Sequence, residues 1–402
     1  HQSMPRAKNK GACPKKQLAV TVDGLVDDGK PGSTFFENKD GMRDCKIIGP
    51  LGHNHTSEAK NVHSQDKDVN SMERQVGPDD LKGTLQVYSG DPRFKIFPGD
   101  VPDVHEAHAS GGERILSANS VYKLRDRDLV VKYVCVKDGS PASFRAWIHE
   151  VHALMSTCPY LFSPIGLFLI GDHLCIVMNK MTVMDTVAKA MRAPRKQMPD
   201  VVLATMLNDL LQSLKHLAEN GLVHGDIKPP NILLDESCRV VICDFGSMAM
   251  QCKWSEYKEL YGLCPHTRCT LGYSLSNDIK HIAMFIGSWF DMLSAGLSTL
   301  EVALGGENPV FALPALDGFS QEEKGCAFTA TLLDHPNLLQ SLERADRLPK
   351  IKDTALRIVL QEMTKLDPEL RISPDKALQL LATSVGDRKQ VREFVEGLLK
   401  QT

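Results

Sequence analysis

No run of apolar residues in this 402-residue sequence approaches the ~18 that a membrane-spanning helix needs. The nearest candidate, YLFSPIGLFLIGDHLCIVM, is broken by Pro164, Gly166, Gly171 and Asp172. It reads as a strand, a tight Gly-Asp turn and a second strand. An excess of either charge is missing too: 47 Lys and Arg stand against 50 Asp and Glu, a net charge of −3. That balance argues against a nucleic-acid binder, which carries a strong basic surplus. There is no internal repeat and no signal-peptide pattern. The chain opens at His1, and a processed or truncated form would show no such pattern either, so this last absence decides nothing. The eleven cysteines lack the spacing of a standard zinc finger. Cys135, Cys175 and Cys243 lie in apolar strand-like runs and read as buried free thiols. Cys252, Cys264 and Cys269, with His266 among them, lie in a loop-like stretch. Plain thiols, a loop disulfide and a metal site all stay open there. An odd count leaves at least one thiol unpaired within a monomer.

What is present is an ordinary globular composition, 42% hydrophobic and 24% charged. The length suits one two-lobed domain with an extension. Residues 1–80 are polar, without sustained helical or strand period, and read as a mostly disordered extension. The sequon at Asn54 reads there as a bare polar tripeptide. Residues 81–181 are strand-rich. GTLQVYSG and RFKIF look like short strands, and residues 113–138 like two or three more, turning at Ala118-Asn119 and Arg127-Asp128. PASFRAWIHEVHALMST has helical spacing, with Phe144, Trp147, Ile148, Val151 and Leu154 on one face. Strands at 165–170 and 173–178 follow. From 182 to 402 the chain is mostly helical. The strongest helix starts near Asp200, a plausible N-cap, and stops at Gly221. Short strands at 231–234 and 240–243 flank a turn at Asp235-Glu236-Ser237. Residues from Asp278, from Ile351 and from Ser373 begin further helices. The result is an α+β, two-lobed arrangement with a cleft between a small strand-rich lobe and a larger helical one.

The chemistry concentrates in GLVHGDIKPPNILLDESCRVVICDFGS, residues 221–247. Asp226, Lys228 and Asn231 form a D-x-K-x-x-N pattern, and a short hairpin joins it to Asp244-Phe245-Gly246. A carboxylate at Asp226 can accept or orient the proton of an attacking hydroxyl. Lys228 can neutralise a transferring phosphoryl group. Asn231 and Asp244 supply hard oxygen ligands for Mg²⁺ bridging phosphates. Any one of these residues alone would read as a cap or a turn; together they point to phosphoryl transfer.

Over residues 110 to 400 this constellation resembles the protein kinase family. LVVKYV is similar to the strand that carries the ATP-phosphate lysine, here Lys132, and Glu150 matches the helical glutamate that pairs with it. DMLSAGLSTLEVALG resembles the family's D-x-W-S-x-G helix, with Asp291 as buried loop anchor. TKLDPELRISPDKAL resembles the closing D-P-x-x-R segment, with Arg371, and CTLGYSL the end of an activation segment. HGD also occurs in small-molecule phosphotransferases, but Lys228 and the closing segments favour a protein kinase. The resemblance implies a bilobal protein kinase-like fold, ATP and Mg²⁺ as cofactors, and protein substrates phosphorylated on Ser or Thr.

Three departures stand out. The stretch matching the glycine-rich phosphate loop, Arg114–Asn119, contains no glycine. Each charge-assisted hydrogen bond lost there costs ~1.5–3 kcal/mol, unless Ser117, Asn119 or Ser120 donate instead or the stretch forms a helical cap. Gly225 replaces the arginine that usually reads an activation-loop phosphate, so activity is expected not to need loop phosphorylation. Leu275, Ser276 and Asn277 stand where A-P-E is usual, which leaves Arg371 without its glutamate; Asp278 is the substitute in reach. The missing loop, HGD and the polar extension together resemble the With-No-Gly-loop subgroup of the secreted rhoptry-kinase-like family of apicomplexan parasites. That subgroup implies secretion, the parasitophorous vacuole and vacuolar substrates. Membrane association through the extension stays open. Two alternatives remain: a pseudokinase acting as a binding scaffold, and a small-molecule or lipid kinase.

Overall fold

Lys132 alternates along its strand with residues that face the opposite way, and that alternation divides the small lobe. The computed structural model describes residues 76–401 apart from 105–106, 108–112, 117–119, 125–127, 193–196, 252–269, 271–272, 274–286, 321–323, 325–336, 349 and 366; of 113–116 and Ser120 it describes the backbone only. Five strands, β1 (Glu113–Leu116), β2 (Ser120–Lys123), β3 (Leu129–Cys135), β4 (Gly166–Ile170) and β5 (His173–Asn179), form one antiparallel sheet in the order β1-β2-β3-β5-β4. Period-two alternation sends Tyr122, Val131, Tyr133, Cys175 and Val177 into one apolar cluster. It sends Val121, Val130, Lys132, Ile176 and Met178 to the other face, where they line a cavity.

Helix α1 (Pro78–Tyr88) occupies the segment whose GTLQVY reads as a strand. Here tertiary packing overrides β propensity. Pro78 opens the helix, Asp80 accepts the Gly77 N–H at 2.9 Å, and Leu81 and Leu85, one turn apart, are buried. The Tyr88 hydroxyl bonds His152 Nδ1 at 2.9 Å and ties α1 to helix α2 (Pro141–Leu154). RFKIF is not a strand either. Arg93 gives its guanidinium to Asp91 and to the carbonyls of Met155 and Ser156, which pins the segment to the end of α2. Within α2, Ser140 caps the N-terminus and Phe144, Val151 and Leu154 are buried as the spacing predicts. Glu150 is buried as well, on the side that meets β3.

The helical lobe begins after the two-residue strand β6 (Thr182–Val183) with α3 (Met184–Ala190) and α4 (Asp200–Glu219). The α4 cap is Pro199 rather than Asp200. Asp200 is drawn away by the Lys352 and Asp353 N–H groups, at 2.7 and 2.8 Å. Gly221, at φ +67°, ends the helix where expected. Strands β7 (Leu222–Val223) and β10 (Ala249–Met250) pair with each other, and β8 (Ile232–Leu234) and β9 (Val240–Ile242) form the predicted hairpin, joined by β6. Helix α5 (Ser288–Ala303) is buried along nearly its whole length and packs on α3 and α4. Then come α6 (Leu338–Arg344), α7 (Thr354–Met363), α8 (Pro374–Leu381) and α9 (Arg388–Leu399); α6 and α9 are not among the helices read from the sequence. All described residues belong to one compact unit, and no described helix is long and apolar enough to cross a membrane.

Of the three thiols read as buried, Cys175 is buried, Cys243 half-buried and Cys135 exposed. Cys135 is the last residue of β3, where the sheet meets solvent. Burial pushes the Cys175 thiol up to about 12, so it stays protonated and inert. Cys252, Cys264, Cys269 and His266 lie outside the described residues, as do Asn54, nearly all of the 1–80 extension, Ser117 and Asn119; for Ser120 only its place at the start of β2 is described.

Candidate active site

The cleft between the lobes holds a cavity of about 570 Å³. Its roof is the β2, β3 and β5 face, its floor comes from Pro230, Asn231, Leu233 and Cys243, and Glu150 and Asp244 close one end. Apolar walls with a charged end suit a ligand that is flat and apolar at one side and anionic at the other.

The charged end is built from three distant segments. Lys132 on β3 donates to Glu150 on α2 at 2.9 Å and to Asp244 after β9 at 2.6 Å. Glu150 is 2% exposed. Burial alone would push the lysine down, but the two carboxylates outweigh it and raise it well above the ordinary lysine value. Burial likewise pushes the Asp244 carboxyl up; the charge and hydrogen bond of Lys132 outweigh it and leave that carboxyl below its usual range. Both partners are therefore charged at neutral pH. Asp244 sits at φ +64°, a strained conformation for a non-glycine residue. Phe245 beside it is fully buried, edge-on to the His224 ring at 5.4 Å. This packing holds the strained turn and keeps the carboxylate aimed into the cleft.

The HGD loop is anchored from below. Asp291, at the start of α5 and 2% exposed, accepts the N–H groups of His224 and Gly225 at 2.7 and 2.9 Å. The His224 ring faces the Cys243 carbonyl through Nε2 at 3.0 Å. A carbonyl only accepts, so Nε2 carries the proton and Nδ1 is left to accept the Asp226 N–H at 3.3 Å. Gly225 lies at φ +81°, and a Cβ there would stand 2.7 Å from the Ser247 carbonyl oxygen. The glycine in place of the usual arginine is thus required by the close approach of the two loops.

Asp226 is held by four donors. Oδ1 accepts from the Thr270 N–H at 3.0 Å and hydroxyl at 2.7 Å. Oδ2 accepts from Lys228 at 2.7 Å and from Asn231 Nδ2 at 3.2 Å. Lys228 also donates to the Thr270 hydroxyl at 2.6 Å. Asn231 commits Nδ2 to Asp226 and presents Oδ1 as its remaining polar atom. An amide oxygen and the Asp244 carboxylate are hard donors that fit a divalent cation. Among the described residues no group of three His, Cys, Asp or Glu side chains is placed to hold a metal alone.

The structure thus places Lys132, Glu150, Asn231 and Asp244 on one cavity, and Asp226 and Lys228 join them through the bond from Asn231 Nδ2 to Asp226. Thr270 joins them and is not among the candidate site residues; it lies 44 residues from Asp226, within the CTLGYSL stretch that resembles the end of an activation segment. Arg371 donates to the Lys365 and Trp289 carbonyls at 2.7 and 3.1 Å, so part of its donor set is satisfied by backbone. Asp278, with Leu275, Ser276 and Asn277, lies outside the described residues.

Comparison with known proteins identifies a family. Residues 117–381, well over half of the chain, match the family described as "Protein kinase domain". The chain is 36% identical over 174 residues to "Dual specificity mitogen-activated protein kinase kinase 7" of Homo sapiens, covering 41% of this chain and 39% of that protein. It is 31% identical over 191 residues to "Mitogen-activated protein kinase mpkC" of Aspergillus niger, 42% and 43% respectively. It is 27% identical over 180 residues to the human "Phosphorylase b kinase gamma catalytic chain, liver/testis isoform", 44% and 38%. The chain spans about two fifths of the length of these relatives.

Proposed function

The chain belongs to the protein kinase family, and on that premise we propose that it transfers the γ-phosphate of ATP to serine and threonine side chains of protein substrates. The observation that carries the reading is a pair of adjoining networks: Lys132 spans Glu150 and Asp244 at the end of the cavity, and Asn231, which also lines it, helps Lys228 and Thr270 hold Asp226. Lys132, steadied by Glu150, positions the phosphates. Asn231 and Asp244 would hold the divalent ion, Mg²⁺ in this reading, which would neutralise phosphate charge when bound. Asp226 orients the incoming hydroxyl and takes its proton.

The network around Asp226 suggests how it is released for that task. A carboxylate has about four acceptor sites, and four donors fill them here. Lys228 is the mobile one, a flexible chain with a point charge. An arriving phosphoryl group attracts it, and its departure opens Oδ2 to the substrate hydroxyl. Thr270 keeps Oδ1 in place meanwhile. Thr270→Val retains the backbone N–H but removes the hydroxyl. A hydrogen bond to a charged group is worth about 1.5–3 kcal/mol, so kcat is expected to fall about ten- to hundredfold. KM for ATP stays unchanged. Steady-state kinetics check both, and an unaltered kcat would remove Thr270 from the mechanism.

Incubation with γ-labelled ATP, Mg²⁺ and a panel of basic proteins, small alcohols and lipids tests the whole reading. Labelled protein that yields phosphoserine and phosphothreonine on acid hydrolysis is the expected result. Label in a small molecule or lipid would favour that alternative, and phosphotyrosine would correct the specificity. The pseudokinase reading is favoured by one observation, the lack of glycine over Arg114–Asn119. No label anywhere, with no change of melting temperature on adding Mg-ATP, would establish it. The finer placement belongs to the same proposal: the glycine-free stretch, HGD and the polar extension support membership of the secreted With-No-Gly-loop subgroup, acting on proteins of the parasitophorous vacuole.

A further inference from the structure

Helix α9 lies beyond the family match, which ends at residue 381, yet it reaches the catalytic cleft. It is firmly attached. Arg388 forms a two-pronged pair with Asp209 on α4, 2.5 Å at each contact. Asp209, 1% exposed, also accepts the Val240 N–H of β9 at 3.0 Å. The Gly386 N–H donates to Thr205 on α4 at 2.8 Å. Val391, Val395 and Leu398, at i, i+4 and i+7, are buried. The helix therefore runs from the strand that leads to Asp244 along α4 to α3. Its last residue, Leu399, lines the 570 Å³ cavity; the other described lining residues all lie within 117–381.

We propose that α9 is a working part of the nucleotide site, and that Leu399 supplies an apolar wall for the nucleoside of ATP. This rests on the reading of the cleft as an ATP site. The placement follows from the two ends of the cavity. Lys132, Glu150 and Asp244 form the end that receives phosphate. The rim at 179–183 and Thr186 forms the other, and α3, on which α9 packs, begins at that rim. An isobutyl side chain favours a flat apolar ring and opposes a desolvated phosphate. Anchorage by Arg388 and Asp209 means that the wall is in place before the ligand arrives, so little ordering cost is met on binding. A preformed nucleoside wall offsets affinity lost on the phosphate side, where Arg114–Asn119 carries no glycine.

The test is titration calorimetry of the full chain with Mg-ATP and, separately, with adenosine. Four proteins are compared: wild type, Leu399→Ala, Lys132→Ala and Gly397→Ala. Leu399→Ala is expected to weaken both ligands by the same factor, about fivefold. Lys132→Ala weakens Mg-ATP and leaves adenosine unchanged. Gly397→Ala, on the same helix with nothing within 4 Å of the added Cβ, changes neither. Wild-type affinity for both ligands in Leu399→Ala overturns the proposal and leaves the kinase reading intact. Loss of Mg-ATP but not adenosine overturns the nucleoside placement. A wild type that binds neither ligand overturns the reading of the cleft, and this proposal with it.

Discussion

Asp226→Asn is expected to lower kcat for phosphoryl transfer about 10³-fold, with the melting temperature nearly unchanged. The asparagine keeps the shape and one acceptor oxygen, so the bond to Thr270 is retained. It loses the negative charge that holds Lys228 at 2.7 Å and the capacity to take a proton. General-base catalysis contributes about 10²–10⁴ in rate, and the displaced lysine adds to the loss. Single-turnover kinetics with saturating ATP separate this from a binding defect. A variant within threefold of wild type would remove Asp226 from the proton-transfer role and point to substrate-assisted transfer instead.

The second large effect falls on stability. Asp291→Ala removes the acceptor of two N–H groups in the HGD loop. His224 is fully buried, so its N–H has no access to water. An unsatisfied buried group costs about 1–3 kcal/mol, and the pair together about 2–6 kcal/mol. Against a typical total of about 5–15 kcal/mol this is a large fraction, and the melting temperature is expected to drop by about 3–9 °C. Asp291→Asn, which keeps one oxygen acceptor, should fall between. Activity declines in the same order, because the loop that these bonds hold carries Asp226. Thermal unfolding followed by circular dichroism decides it: a shift below 1 °C for the alanine variant would mean that the loop finds other partners.

Helix α1 and Leu399 illustrate two limits of reading the chain. GTLQVY has the valine and tyrosine of a strand, and its helical state depends on Pro78, Asp80 and a buried pair of leucines meeting α2. The local signal was ambiguous and packing decided it. Leu399 is one apolar residue at the end of an amphipathic helix, and nothing in its neighbours points to a cleft. Its role depends on where α9 is docked, which Asp209 and Arg388 determine across 179 residues of sequence.

The sequence by itself determined which residues stand together around the HGD and DFG turns. D-x-K-x-x-N and DFG, separated by a short hairpin, name the carboxylates, the lysine and the amide, because their spacing is local and a hairpin is encoded by adjacent residues. It also determined the alternation that places Lys132 on the cleft face, since strand periodicity is a property of the chain itself. Only the tertiary structure decided that Lys132 meets Asp244 112 residues away, that Thr270 closes the network around Asp226, and that α9 borders the cavity. Those contacts join segments whose meeting depends on the packing of the whole core, and no short window of sequence records which distant surfaces will be buried together.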